Sequence, residues 1–396
     1  MPANASGTPV LDGLRVVEFS QLIAAPFCGL TLLDLGAEVI KVEAPGGDAM
    51  RGFPPYLEDG QSAQFRALNR GKRSVIADLS TPGGRDLAAR LIAAADVVIE
   101  NLGDSRALLG VAYEDAAALS PGLVWCAISG WGAAQPGRAI DPSLQAAMGL
   151  ISITGEDGRD PVRIPVPLVD FMTGMYAVQS ILVALWRVRM GERGMFLDCA
   201  MADAAATLVS TTALIAAGGH LSPRRLGSGS PLVVPSGVFV ASDGLEIQVV
   251  CVTERHWRGL CDALGRPEWV DDPLSIDNAA RIANRELIHT RLGEAIAADT
   301  AASWVRRISD HGAICEHVRD IEEAWADERL LARGLAVEPA GSPPGAARMP
   351  RVSLAGAAAG RSAPLARAPA LGEDNELVAD ELDRRPAQSV RRTPTS

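Results

Sequence analysis

The sequence has few charged and few aromatic residues. Asp, Glu, Lys and Arg make up 21% of its 396 residues, and Phe, Trp and Tyr make up 4%, whereas apolar residues account for 48%. A chain of this length and composition can bury a large core and is expected to form two domains. Acidic residues outnumber basic ones and the formal net charge is −11, so nucleic acid and anionic membranes are not expected as general partners.

Residues that build disulfides, metal sites and catalytic triads are also scarce. The six cysteines are scattered singly, without a Cys-x-x-Cys pair, which is typical of reduced core thiols. All five histidines lie after residue 219, and none has metal-ligand spacing with another. The sequence therefore indicates neither a metal site nor a histidine-based triad.

Targeting and membrane-spanning signals are missing as well. Residues 1–9 show no basic region followed by an apolar core, and no apolar run is expected to reach the length that spans a bilayer. The sequence therefore predicts a soluble, cytoplasmic protein.

Strand-like and helix-like segments alternate in the first half of the chain. A strand pattern at residues 14–19 is followed by helical character at 26–35 and a second strand at 37–42. Further short strands are predicted at 74–77, 96–100 and 123–128. This alternation predicts an α/β fold in which helices cover both faces of a parallel sheet.

The turn after the first strand lacks the glycines of a dinucleotide-binding fingerprint. Residues 20–26 read Ser-Gln-Leu-Ile-Ala-Ala-Pro, where a nicotinamide dehydrogenase would have Gly-x-Gly-x-x-Gly. The chain has no P-loop motif either. These two absences argue against a dehydrogenase and against a P-loop nucleotidase.

A change of composition suggests the domain boundaries. Residues 218–236 are rich in Gly, Ser and Pro, and a hairpin pattern with Asp243-Gly244 at its turn follows. We predict a large domain from residues 1–217, a smaller α+β domain from 218–332, and a segment, 333–396, that returns to the large domain. Residues 337–370 are predicted to be an extended linker, and the tail from Arg384 is predicted to be disordered.

One carboxylate, Asp170, lies between the apolar segment 164–169 and a long apolar, helix-like run at 171–186. An aspartate at a helix entrance can accept hydrogen bonds from the first backbone N–H groups and interacts with the positive end of the helix dipole. We therefore expect it to stay ionised despite partial burial, which makes it a candidate nucleophile. Spacing and composition alone favour an ordinary helix cap without chemistry.

Motifs along nearly the whole chain resemble one family, the class III coenzyme A transferases, which also contains the α-methylacyl-CoA racemases. Asp170 is one of the matching positions, and so is Asp141 with Gln145-Ala146 after it. The other matching blocks are residues 9–19, 35–43, 68–74, 95–101, 235–244 and 369–373.

The resemblance implies a Rossmann-like large domain built from both ends of the chain, a small domain inserted between them, and an interlocked homodimer. It implies acyl-CoA and a small carboxylic acid as substrates, with no tightly bound cofactor. Asp170 would attack the thioester to form a mixed anhydride and would then carry CoA as a thioester. Gly227 and Gly229 lie where some transferases have a glycine loop over this aspartate, although an interdomain linker explains the segment 226–231 equally well.

The resemblance also assigns a CoA site. Arg70, Lys72 and Arg73 form a basic cluster that is a candidate for the adenosine phosphates, although without the resemblance it would be interpreted as a solvated basic turn. Gln21, Leu22 and Ala24 correspond to residues that line the pantetheine channel, and Leu68, Asn101 and Leu102 to residues around the adenine. Arg138 matches a basic position near the phosphates, and Arg106 only partly replaces an arginine contact of the family pattern.

Departures from the family pattern separate its branches. A racemase needs two acid/base groups, and the position that holds a histidine in the racemase branch is Ile140. Ile23 stands where the formyl-CoA branch has a glutamine. The sequence therefore favours a CoA transferase over a racemase or a non-catalytic acyl-CoA binding protein. The acids are not identified, but Arg163, Arg224 or Arg225 could pair with a second carboxylate of a dicarboxylic acid such as succinate.

Overall fold

The computed structural model describes residues 9–135, 137, 139–219, 223–338, 348–351 and 366–384. These residues form two compact units. Unit 1 contains the described parts of Met1–Met148, Pro165–Leu208 and Asp327–Ser396, and unit 2 contains those of Gly149–Ile164 and Val209–Ala326.

The unit boundaries differ from the domain boundaries expected from composition. Residues 149–164 and 209–217 lie in unit 2, and residues 327–332 lie in unit 1. The boundary between Leu208 and Val209 lies inside a single helix, Met201–Ala217, so no change of composition marks it. Most of the predicted linker, and the predicted tail beyond Arg384, lie outside the described residues.

Unit 1 contains a six-stranded sheet in which all neighbouring strands are parallel. The strands are β1 (Arg15–Phe19), β2 (Glu38–Glu43), β3 (Arg73–Ile76), β4 (Val97–Glu100), β5 (Val124–Ser129) and β6 (Phe196–Ala200). Their order in the sheet is β3-β2-β1-β4-β5-β6, which confirms the predicted Rossmann-like α/β fold. In this order β1 and β4 are neighbours, and doubly wound sheets bind ligands at such a reversal point.

The central strands are buried on both faces. Every residue of β1 and of β4 is buried, as expected for a parallel sheet covered by helices. Val17 pairs with Ile40 on one side and with Val98 on the other. Apolar β-branched residues therefore form the core and hold the carboxyl ends of β1 and β4 side by side.

The helices of unit 1 connect these strands and cover the sheet. They are α1 (Ala24–Asp34), α2 (Ala63–Asn69), α3 (Pro82–Ala93), α4 (Tyr113–Leu119), α5 (Asp141–Ala147), α7 (Leu168–Arg189), α14 (Glu328–Ala332) and α15 (Asn375–Arg384). Of the two remaining helices in this part of the chain, α6 (Leu150–Ile153) belongs to unit 2, and α8 (Met201–Ala217) extends from unit 1 into unit 2.

Helix α7 is long and apolar enough, by length and composition, to cross a membrane. The expectation that no segment reaches this length was therefore wrong. In the structure α7 packs against α1 and against β5 and β6. These contacts bury only part of its apolar surface, because Val183 and Trp186 are exposed.

Unit 2 is built on a three-stranded antiparallel sheet, in the order β7-β8-β9. The predicted hairpin is confirmed by the pairing of β7 with β8, with Gly244 in a left-handed conformation at its turn. Trp257 and Trp304 lie in the core under the sheet. The elements are β7 (Ser236–Val240), β8 (Glu246–Val250), β9 (Ile314–His317), α9 (Glu254–Leu264), α10 (Asn278–Ala283), α11 (Arg285–Ile296), α12 (Ala301–Asp310) and α13 (Ile321–Trp325).

Candidate active site

Asp170 is the third residue of α7 and is partly buried. Its carboxylate lies near the backbone N–H of Ala24, the first residue of α1, and this N–H favours the ionised form and so lowers its pKa. Helix α1 begins where the chain leaves β1 at the reversal point of the sheet. The structure therefore places the candidate nucleophile at the edge of the sheet where α/β proteins bind ligands.

A second aspartate, Asp141, caps the helix that carries Asp170. Its side chain is 2% exposed, and its Oδ2 accepts from the N–H groups of Val169 at 2.7 Å and Asp170 at 3.3 Å. Gln145 Nε2 donates to Asp141 Oδ1 at 2.6 Å. The capping role expected of Asp170 therefore belongs to Asp141, which lies 29 residues earlier in the chain.

The environment raises the pKa of Asp170 to about 7, because burial disfavours its charge and the neighbouring Asp141 repels it, while the Ala24 N–H acts in the opposite direction. The expectation that Asp170 stays fully ionised was wrong. The helix N–H groups that would have stabilised its charge are bonded to Asp141 instead. Asp170 therefore keeps its proton to a higher pH than an exposed aspartate does.

The loop between β1 and α1 is held in a strained conformation. Leu22 has a φ of +64° and is the only residue other than glycine with a positive φ in the described part of the chain. Its N–H donates to Asp48 Oδ1 at 3.2 Å. Gln21 and Asn101 exchange two hydrogen bonds, of 3.1 and 2.8 Å. Such strain persists only where the surroundings hold the residue firmly, and it is common at binding sites.

The sequence reasoning missed Gly174, one helical turn after Asp170. A Cβ at Gly174 would lie 2.7 Å from Cδ1 of Phe27 and 2.8 Å from the carbonyl oxygen of Ala24. Beside it, Phe27 and Phe171 form an edge-to-face pair with centroids 4.9 Å apart. The missing side chain therefore lets α7 approach α1 closely enough for Asp170 to reach the Ala24 N–H.

Arg70, Lys72 and Arg73, the basic cluster predicted to bind CoA phosphates, are all engaged in ion pairs within unit 1. Arg70 forms two hydrogen bonds to Asp34, of 2.8 and 2.5 Å. Arg73 pairs with Glu38 and Glu381 at 2.5 and 3.0 Å. The third residue, Lys72, is fully buried. All three positive charges are therefore paired with carboxylates inside unit 1.

Lys72 belongs to a network of buried charges that ends at the strained loop. Its Nζ lies 2.8 and 3.0 Å from the two carboxylate oxygens of Glu18. Lys41 contacts Glu18 at 3.4 Å and Asp48 at 2.9 Å, and it donates to the carbonyl oxygen of Ser20 at 2.9 Å. Because Asp48 also accepts from the N–H of Leu22, the network supports the loop that leads to Ala24.

Replacing Lys72 by methionine is expected to destabilise the fold by about 3–5 kcal/mol, because Glu18 would keep its buried charge and lose its nearest partner. The control is Arg90→Met, which removes the exposed pair between Arg90 and Asp383 and should cost no more than about 1 kcal/mol. Urea unfolding of both variants measures the difference. Equal losses would contradict a structural role for the buried network.

The remaining predicted CoA residues and the two glycines of the predicted loop lie in different parts of the chain. Leu68 is buried beside Phe65 and Met50, in a cluster that Leu22 contacts. The N–H of Leu102 donates to Glu100 at 2.9 Å, and Arg106 pairs with the same carboxylate. Arg138 lies outside the described residues. Gly227 and Gly229 lie in unit 2.

Comparison with known proteins agrees with the fold and the motifs. The model of CoA-transferase family III matches residues 11–375. A succinate–glutarate CoA-transferase from Agrobacterium fabrum is 36% identical over 83% of this chain and 85% of its own length. A succinyl-CoA:mesaconate CoA-transferase from Haloarcula hispanica is 34% identical over 72% and 74%. An acetyl-CoA:oxalate CoA-transferase from Acetobacter aceti is 31% identical over 86% and 88%.

Solved structures show the same architecture. A CAIB/BAIF family protein from Brucella suis superposes with a TM-score of 0.80 at 34% identity, covering 95% of this chain and all of the other. The hypothetical protein Rv3272 from Mycobacterium tuberculosis has a TM-score of 0.80 at 29% identity, covering 93% of this chain and 99% of the other. The chain therefore belongs to CoA-transferase family III and is an enzyme that transfers coenzyme A.

Proposed function

We propose that Asp170 is the nucleophile of a CoA transfer between two carboxylic acids. Its carboxylate attacks the thioester carbonyl of an acyl-CoA, the carbon–sulfur bond breaks, and CoA leaves as a thiolate while a mixed anhydride forms. The thiolate then attacks the Asp170 carbonyl of this anhydride. The donor acid leaves as a carboxylate, and CoA remains on Asp170 as a thioester.

The second half of the reaction reverses these steps. The acceptor carboxylate attacks the aspartyl thioester, which releases CoA thiolate and forms a new anhydride. The thiolate then attacks the acceptor acyl carbon and restores the Asp170 carboxylate. One thioester replaces another, so the sequence of steps consumes neither water nor ATP and needs no redox partner.

The observation that carries this proposal is the position of the Asp170 carboxylate, partly buried against the Ala24 N–H. The same N–H can stabilise the oxyanion that develops when Asp170 is itself attacked. Partial burial limits the access of water, which would hydrolyse either intermediate. Gln21, Leu22 and Ala24 are proposed to line the path of the pantetheine arm, because the strained loop between β1 and α1 leads to Ala24, whose N–H faces Asp170.

The names of the relatives point to the class of acid. Each contains at least one dicarboxylic acid, which is succinate, glutarate, mesaconate or oxalate, and the enzyme from Acetobacter aceti is named for acetyl-CoA together with oxalate. We therefore propose that at least one of the two acids is a dicarboxylic acid, with acyl-CoA bound as a substrate. The loop containing Gly227 and Gly229 is proposed to contact the acid substrate, and the functional form is proposed to be an interlocked homodimer.

A racemase is less well supported by the geometry. Ile140 precedes Asp141 at the entrance of α5 and carries no group that can exchange a proton. Asp141, the carboxylate beside Asp170, is bonded to the N–H groups of α7 and to Gln145. Neither of these described neighbours of Asp170 therefore offers a second free acid/base group for proton transfer on both faces of an α-carbon.

The proposed function is tested by incubating the protein with succinyl-CoA and labelled glutarate and following the label by mass spectrometry. We expect labelled glutaryl-CoA to form with release of succinate. In deuterated water, incorporation of deuterium at the α-carbon without any CoA transfer would indicate a racemase. Binding of acyl-CoA with neither reaction would indicate a binding protein, and either result would contradict the proposal.

The raised pKa of Asp170 predicts the pH dependence of the reaction. Because only the ionised carboxylate attacks, kcat/KM should rise with pH on the acid side of about pH 7 and level off above it. In Asp141→Asn the repulsion is removed while an acceptor oxygen for the helix is retained, so the rise should move to lower pH. A pH profile that is the same in both proteins would show that Asp170 does not control it.

A further inference from the structure

The segment 226–231 of unit 2 is a tight loop with a basic side chain on each side. Gly227 donates its N–H to the carbonyl oxygen of Gly155, and Gly229 donates to that of Leu226, both at 2.8 Å. Arg225 immediately precedes the loop, and its Cδ lies 3.2 Å from the position of a Cβ on Gly155. On the other side, Arg285 of α11 donates through Nη2 to the carbonyl oxygen of Ser230 at 2.7 Å.

Buried nitrogen atoms around this loop have no hydrogen-bond partner among the described residues. They are Nε of Arg225, Nη1 of Arg285 and Nε2 of His289. Nη1 of Arg285 lies 3.6 Å from the position of a Cβ on Gly229, so it borders the loop directly. His289 follows Arg285 by one helical turn and packs on Phe239. An unpaired buried donor costs free energy, so the two guanidinium nitrogens beside this loop indicate a missing acceptor.

The charges around the loop favour an anion. Among the described residues, no carboxylate lies within ion-pair distance of Arg225 or Arg285. Burial and the nearby charge of Arg224 both lower the pKa of Arg285, and burial and Arg285 lower that of His289. The local acids are Glu156, which lies against Gly227, and Asp157, which pairs with Arg224 at 3.5 Å. The positive charge on Arg225 and Arg285 is therefore not neutralised by an ion pair within the described part of the protein.

We propose that Arg225 and Arg285, with the loop 226–231, form a binding site for one carboxylate of a dicarboxylic acid substrate. The proposal rests on the proposed function for the identity of this anion. A guanidinium group presents parallel N–H donors that match a carboxylate. Gly229 leaves space beside Arg285, and Ser228, whose Oγ accepts from the N–H of Val238 at 2.8 Å, keeps its own proton to donate.

This assignment changes the arginines expected from the sequence. Arg163 is exposed, and the exposed Arg224 is paired with Asp157. Arg285 was not among the candidates, because it lies 54 residues beyond Pro231 in the chain and only the fold brings it to the loop. Arg225 is the one sequence candidate that keeps a buried, unpaired donor.

The test compares matched acids that differ only in the second carboxylate. Transfer from succinyl-CoA to glutarate is measured beside transfer from butyryl-CoA to valerate, in which methyl groups replace both distal carboxylates. Arg285→Met and Arg225→Met should each lower kcat/KM for the dicarboxylic pair by about 30-fold or more. The monocarboxylic pair should change by less than about threefold. Both pairs should also change by less than about threefold in the control Arg266→Met, which removes an exposed arginine paired with Glu268.

A direct binding measurement separates this inference from the proposed function. Titration of the full chain with free glutarate and free valerate should show saturable binding of glutarate that Arg285→Met weakens, whether or not CoA is transferred. This binding measurement tests the inference even if one pair of acids shows no measurable CoA transfer. The inference is overturned if glutarate does not bind better than valerate, if both arginine variants behave like wild type, or if they impair both pairs of acids equally.

Discussion

Replacing Asp170 by alanine is expected to lower the rate of CoA exchange by at least about 10⁴-fold, because the account assigns every covalent step to this carboxylate. Other groups in the site position Asp170 or stabilise charge, and they cannot accept an acyl group in its place. Binding of acyl-CoA should change little, since the β1–α1 loop is held by Asn101 and Asp48. The measurement is isotope exchange between succinyl-CoA and labelled succinate.

Asp170→Asn is the matched variant for this loss. Its amide oxygen can still accept from the N–H of Ala24, so the contact between α7 and α1 is preserved. An equally inactive Asn variant with normal thermal unfolding would assign the loss to the missing nucleophile. Substantial exchange in either variant would mean that another group, or direct attack of the acceptor on the thioester, performs the transfer.

Replacing Gly174 by alanine is expected to lower kcat by about 100-fold, although the residue does not take part in the chemistry. The new Cβ would meet the Ala24 carbonyl oxygen at 2.8 Å, and a backbone atom can move only with its helix. Helices α1 and α7 would separate, and Asp170 would lose its contact with the Ala24 N–H. Misplacement of a reacting group by about 1 Å can cost about 10²-fold in rate.

The overpacking should also cost about 1–3 kcal/mol of unfolding free energy. The control is Gly293→Ala in helix α11, where the structure places nothing within 4 Å of the added Cβ. That variant should be neutral or slightly more stable, because alanine favours a helix more than glycine does. If Gly174→Ala kept the wild-type kcat, the close approach of the two helices would not be needed for catalysis.

The sheet could be predicted because its evidence is local. Short apolar segments such as 14–19 and 96–100 are recognisable as strands from their own residues, and both lie in the sheet as β1 and β4. The position of Asp170 at a helix entrance was also readable, because an apolar run marks the helix. Patterns of this kind need no knowledge of which distant residues meet.

The charge state and the partners of the same residues could not be predicted, because they depend on contacts between distant segments. Lys72 resembles a solvated basic turn in the sequence, yet its partner Glu18 lies 54 residues away on β1. Asp141 matched the family pattern, but only the fold shows that it caps α7 and repels Asp170. Gly174 gave no signal at all, since a glycine inside an apolar helix reveals nothing about its neighbours.

The most direct test of the account is a search for CoA attached to Asp170. The protein is mixed with succinyl-CoA in the absence of an acceptor acid, quenched with acid, and examined by intact-mass and peptide mass spectrometry. We predict a CoA thioester on the peptide containing Asp170, which hydroxylamine converts to a hydroxamate and which Asp170→Ala lacks. CoA transfer at the full rate with no adduct on that peptide would contradict the central claim.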